Sequence, residues 1–85
     1  MSVERRQEMI EHILREVIRD TQCEIDETTP LVSSGLIDSL ALIDILFKLE
    51  DLTNLRIPAG KVKAKDMDTV ELMFLTAQRV GRAIK

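Results

Sequence analysis

Apolar residues recur every three or four positions at Met9, Ile10, Ile13, Leu14, Val17 and Ile18. That spacing predicts an amphipathic helix ending near Asp20, with Glu8, Glu11, Arg15, Glu16 and Arg19 on its remaining surface. Ser2 is placed to cap it, and Glu4 suits its positive end. From Thr21 to Asp38 the periodicity disappears. This stretch is rich in Thr, Ser, Asp and Glu, with Pro30 and Gly35 as breakers, and a connection so long is often functional. Ile25, Leu31, Val32, Leu36 and Ile37 are the residues expected to tuck it against the helices.

A second helix is predicted from Ser39 to Leu52, with Asp38 as its N-cap. Leu42, Ile45, Leu46 and Leu49 make one complete core stripe at i, i+3, i+4 and i+7. Leu40, Ile43 and Phe47 make a second apolar line on the remaining side. A helix with one buried face has no use for it, so the line either meets the third helix and the loop or is left for a partner. The pattern breaks at Thr53-Asn54-Leu55-Arg56, and Ile57-Pro58 opens a weakly periodic stretch. One or two helical turns are expected over residues 59–65, with Val62 inward and Gly60 against them. Asp68 followed by Glu71 fits a capping-box-like start to the last helix. Val70, Met73, Phe74, Ala77 and Ile84 form its buried stripe, and Arg79, Arg82 and Lys85 suit its negative end. With no internal repeat, the expectation is an all-α single domain over residues 1–85: a small four-helix bundle of three main helices plus a short third one.

Composition sharpens this in two ways. Phe47 and Phe74 are the only aromatic residues, so aliphatic and Met side chains must fill the interior, which suits packed helices better than a β-sandwich. The single cysteine, Cys23, allows no intramolecular disulfide and reads as a small, partly buried loop residue. No signal peptide or membrane-length apolar run is seen, which makes a cytoplasmic monomer the expectation. The net charge of −3 hides an asymmetry: residues 1–51 hold 5 basic and 12 acidic side chains, residues 52–85 hold 7 and 3. The acidic first part argues against a nucleic-acid surface and towards basic partner patches.

The candidate chemistry lies in Gly35-Leu36-Ile37-Asp38-Ser39-Leu40, where polar loop gives way to apolar helix. A helix start offers unpaired N–H groups and partial positive charge, which suit an anion carried on the Ser39 oxygen. A plain helix cap is the competing reading of an Asp-Ser pair in that position. His12 and Cys23 are isolated and make no credible metal or Cys–His site. Met1, Met9, Met67 and Met73 read as an initiator and core filler, and no Gly-rich phosphate loop is present.

Taken with Pro30-Leu31, the Ser33-Ser34-Gly35 turn, Glu50-Asp51, Ile57-Pro58 and Thr69-Val70, that motif resembles the acyl carrier protein and peptidyl carrier family. The resemblance runs from the first helix to the start of the last. It implies that Ser39 carries 4'-phosphopantetheine, donated by coenzyme A, and that the arm holds intermediates as thioesters. It implies that Asp38 serves recognition by the phosphopantetheinyl transferase and helps with its metal. The carrier itself would be non-catalytic. Further partners would be an acyl- or aminoacyl-loading ligase and a downstream synthase or transferase.

Leu40, Asp44, Phe47, Glu50 and Asp51 are the candidate partner face. Asp38, Asp44, Glu50 and Asp51 mark an acidic edge, interrupted by Lys48, whose alternative reading is a solvated surface. The chain departs from the family pattern at Val32, at Thr53-Asn54-Leu55-Arg56 and at Lys61, Lys63 and Lys65. Neutral and basic residues there point away from housekeeping fatty-acid synthesis and towards a stand-alone carrier in a specialised pathway, although the lysines also fit a solubility role. The alternative function is a non-covalent helical adaptor that grips a partner helix with Leu40, Ile43 and Phe47.

Overall fold

The computed structural model describes residues 3–20, 22 and 24–83. The expected cap at Ser2, the loop placement of Cys23 and the last-turn positions Ile84 and Lys85 lie outside them.

Helix α1 spans Val3–His12 and continues as a wider π-helical turn over Ile13–Ile18. It stops where Arg19 turns left-handed at φ 61° and its N–H donates to the Leu14 carbonyl. Helix α2 spans Ala41–Thr53. It ends at Asn54, also left-handed at φ 57°, which donates to the Glu50 carbonyl at 2.9 Å; asparagine tolerates that cap conformation better than most residues. Helix α3 spans Val70–Val80. Its N-cap is Thr69, whose hydroxyl accepts from the Leu72 amide at 3.0 Å, so the predicted Asp68 cap is one residue off.

The pattern predicts a short third helix, but the chain makes two 3-10 turns there, Ala59–Lys61 and Ala64–Met67. Val62 and Lys63 between them are extended, and Gly60 and β-branched Val62 both weaken a longer helix. The described residues thus hold three main helices and little strand, not a confirmed four-helix bundle. The strand is a two-stranded antiparallel ribbon that periodicity does not signal. It joins β1, Leu55–Arg56, to β2, Arg82–Ala83, pairing Leu55 with Ala83 and Arg56 with Arg82. Gly81 eases the approach: a Cβ there would lie 3.0 Å from the Leu55 Cβ of β1, and 2.3 Å from the Ala77 carbonyl oxygen at the end of α3.

Met9, Ile10 and Ile13 from α1, Ile45 and Leu49 from α2, and Val70, Met73, Phe74 and Ala77 from α3 meet in one core. Met67 and Ile57 close it from the connections. Leu31 and Ile37 are the buried pegs that bring the long loop in, with Ile25 and Val32 half-buried against the core as expected, while Leu36, expected to tuck in with them, is 40% exposed. Thr76 is the one buried polar residue described; its hydroxyl donates to the Asp66 carbonyl at 3.1 Å and fastens α3 to the preceding turn.

Candidate functional site

Ser39 sits in the turn that leads into α2, exposed to solvent. Asp38 immediately before it accepts from the Ala41 amide at 2.9 Å. The carboxylate therefore caps α2 as predicted, although regular helix begins at Ala41 rather than at Ser39. Among the described residues nothing hydrogen-bonds the Ser39 hydroxyl, or the amides of Ser39 and Leu40. Ser39 is therefore not a cap itself. Its oxygen is free to react, and it stands where spare N–H groups and the helix dipole favour negative charge.

The loop that delivers this turn is bolted to the start of α3. Asp68 Oδ1 accepts from the amides of Leu31 (3.2 Å), Val32 (2.8 Å) and Ser33 (2.9 Å). Its Oδ2 accepts from the Ser33 hydroxyl at 2.8 Å, and its carbonyl accepts from the Leu31 amide at 2.7 Å. The Ser33 amide above all holds the Asp68 carboxyl below the usual aspartate range, against a desolvation that pushes it up; the Ser33 hydroxyl and the Val32 and Leu31 amides add to the lowering. Beyond the bolt, Gly35 turns back at φ 84° and donates to the Val32 carbonyl. Ile37 donates to the Leu31 carbonyl at 3.1 Å. Earlier in the loop, Asp26 accepts from the Thr28 amide and from the hydroxyls of Thr28 and Thr29, bonds that lower its carboxyl too, the Thr28 amide most. Arg6 of α1 pairs with Glu27.

Beside Ser39 runs an open groove of about 260 Å³. Leu42, Ile43 and Leu46 form its α2 wall, with Ser39 one turn before them; Val62, Lys63 and Met67 are on the opposite wall, from the 3-10 segment. The lining is mostly apolar. On the outside of α2 the second apolar line stays uncovered: Leu40 is 79% exposed, Ile43 57% and Phe47 65%. Neither α3 nor the loop uses it.

The acidic residues divide. Asp44 pairs with His12 of α1 at 3.0 Å, so His12, isolated in the sequence, joins two helices. Glu50 accepts from the Ile57 amide at 2.7 Å, which gives it a local task where the sequence suggested only recognition. Asp51 is exposed. Ser39, Leu40, Ile43 and Phe47 thus come together on one side of α2, and Asp44 flanks them. The residue that sequence reasoning missed is Asp68. Its signal is Thr69, a better N-cap placed directly before the apolar run, which leaves the aspartate for another use.

Among the described residues no cluster of His, Cys, Asp or Glu is arranged to hold a metal ion, and none of their helices is long and apolar enough to cross a membrane. No curated protein and no solved structure matches the chain. The family model described as phosphopantetheine attachment site matches residues 8–71, a span that runs from α1 into α3.

Proposed function

This chain belongs to the phosphopantetheine-attachment family, and from that premise we propose that Ser39 is the attachment residue of a carrier for acyl or aminoacyl groups in a specialised pathway. Family membership makes it a carrier protein modified by a transferase, with 4'-phosphopantetheine joined covalently. The observation that carries the assignment to Ser39 is its exposed, unbonded hydroxyl directly after the Asp38 cap. When attached, the arm supplies a terminal thiol that holds acyl or aminoacyl groups as thioesters.

The protein's own part is placement. Asp38 fixes the start of α2, and the free amides of Ser39 and Leu40 favour the phosphodiester charge, an effect of about 0.3–1 kcal/mol at an exposed helix end. The groove along Leu42, Ile43, Leu46 and Val62 gives an apolar cargo a surface beside the attachment point. Leu40 and Phe47, with Asp44 and Asp51 near them, form the face offered to partner enzymes, where apolar contact supplies affinity and charge supplies orientation. The specialised-pathway reading is supported by the basic second part of the chain, Lys61, Lys63 and Lys65 among it.

The test is to incubate the purified protein with coenzyme A, magnesium and a broad-specificity phosphopantetheinyl transferase. Intact mass and peptide mapping should show one arm on Ser39, and Ser39→Ala should stay folded and unmodified. Loading of that variant at the wild-type level would overturn the assignment. The exposed line at Leu40, Ile43 and Phe47 also favours a second reading, a non-covalent adaptor for a partner helix. That reading requires Phe47→Ala, and not Ser39→Ala, to abolish function.

A further inference from the structure

We infer that Asp68 is the positioning residue for Ser39: it fixes the loop that presents the serine to the transferase, though it lies 29 residues further along the chain. The inference rests on the reading of Ser39 as the attachment residue.

Consider how the serine turn is held. Ala41 is fixed by Asp38, and Asp38 follows Ile37, whose side chain is 5% exposed and whose amide donates to the Leu31 carbonyl. The Ser34 hydroxyl donates chiefly to the Pro30 carbonyl at 2.6 Å and lies 3.2 Å from the same Leu31 carbonyl. Leu31 is therefore the hub of the near side of the loop. Its own amide donates twice to Asp68, to the carbonyl and to the carboxylate, and Val32 and Ser33 donate to the same carboxylate oxygen. Three successive amides aimed at one point make a small anion-binding concavity. An ionised carboxylate satisfies them together and still accepts the Ser33 hydroxyl through its second oxygen. Thr69 caps α3, so this carboxylate has no helix of its own to cap. The Glu71 amide donates to the Glu27 carbonyl at 2.9 Å, a further backbone tie between the loop and the start of α3.

Without the carboxylate, the pegs Leu31 and Ile37 remain, but the orientation of residues 31–33 is no longer fixed. The transferase then meets the competent loop for only a fraction of the time. An equilibrium of this kind raises the apparent KM by the inverse of that fraction and leaves kcat in place, because the bound complex restores the loop.

The experiment measures initial rates of loading of the full chain from coenzyme A and magnesium by the same transferase, for wild type, Asp68→Asn and Asp68→Ala. Thermal melts by circular dichroism establish that each variant is folded. Asp68→Ala should raise KM on the order of tenfold, equivalent to about 1.4 kcal/mol, with kcat nearly unchanged. Asp68→Asn, which keeps one oxygen acceptor, should show a smaller rise. In parallel, amide NMR spectra of the wild type are followed as pH is lowered. The signals of Leu31, Val32 and Ser33 should move together, with one midpoint below the ordinary aspartate value. Ile37 and Ser39 should show a component with the same midpoint, and that component, together with the movements of Leu31, Val32 and Ser33, should be lost in Asp68→Asn. A folded Asp68→Ala with wild-type KM overturns the inference, as does a Ser39 amide indifferent to the Asp68 titration. If Asp68→Ala does not fold, Asp68→Asn and the titration carry the decision. A wild-type protein that is never loaded refutes the attachment reading instead, and the amide titration still decides whether Asp68 governs the loop.

Discussion

The two phenylalanines offer an internal comparison between a buried ring and an exposed one. Phe74 is 1% exposed in the core, whereas Phe47 is 65% exposed on α2. Full burial of a large apolar side chain contributes about 1.5–3 kcal/mol. With about a third of its surface covered, Phe47 contributes about 0.5–1 kcal/mol. Phe74→Ala removes a buried ring and leaves a cavity, at a cost of about 3–5 kcal/mol. An 85-residue domain has roughly 4–13 kcal/mol in total, so the second change removes a large share of stability and the first does not. Urea unfolding followed by circular dichroism separates the two. At a slope of about 1 kcal/mol per molar urea, Phe47→Ala should shift the midpoint by less than about 1 M. Phe74→Ala should shift it by about 3 M or leave the chain unfolded. Phe47→Ala should still slow a partner enzyme that docks on α2. Equal destabilisation by the two substitutions would refute the reasoning, because it would mean that Phe47 is packed in solution and its line is not available.

Three further outcomes follow from particular bonds. Thr69→Ala removes the cap on the Leu72 amide and should cost about 1 kcal/mol in the same assay; no loss would mean that another group caps α3. Glu50→Ala leaves the amide of buried Ile57 without its acceptor and should cost about 1–3 kcal/mol, whereas Glu50→Gln keeps an oxygen acceptor and should cost much less. If the two behave alike in unfolding but differ in partner kinetics, the structural role is wrong. Asp26 and Asp68 both have lowered carboxyl values in the folded state. Their stabilising effect is therefore complete above the unfolded value of about 3.9 and is lost as pH falls through the lowered folded values. The urea midpoint should decline through that acidic window, and a midpoint that rises there would contradict the hydrogen-bonded geometry of both residues.

The helices were legible because each core stripe is a local pattern: Met9, Ile10 and Ile13, or Met73, Phe74 and Ala77, announce their burial by spacing alone. The motif around Ser39 was legible for the same reason, being contiguous. What was hidden depends on pairs far apart in the chain. Asp68 meets Ser33 across 35 positions and His12 meets Asp44 across 32, and neither contact leaves a periodic trace. The ribbon of Leu55–Arg56 with Arg82–Ala83 is too short to show alternation, and its approach is eased by Gly81 having no side chain. The widened turn over Ile13–Ile18 is equally silent, since the apolar spacing there suits an ordinary α-helix.

The uncovered line of Leu40, Ile43 and Phe47 also sets how docking should respond to temperature. Water ordered around those side chains is released whenever a partner covers them, so association should carry a negative heat-capacity change. Cooling weakens that contribution. The neighbouring Asp44 and Asp51 answer to a different control, since ionic strength screens interactions between exposed charges more than about 10 Å apart at 0.1 M salt. Heat and salt thus act on separate parts of one helix, and calorimetry at two salt concentrations would read the apolar and the charged share of each encounter independently.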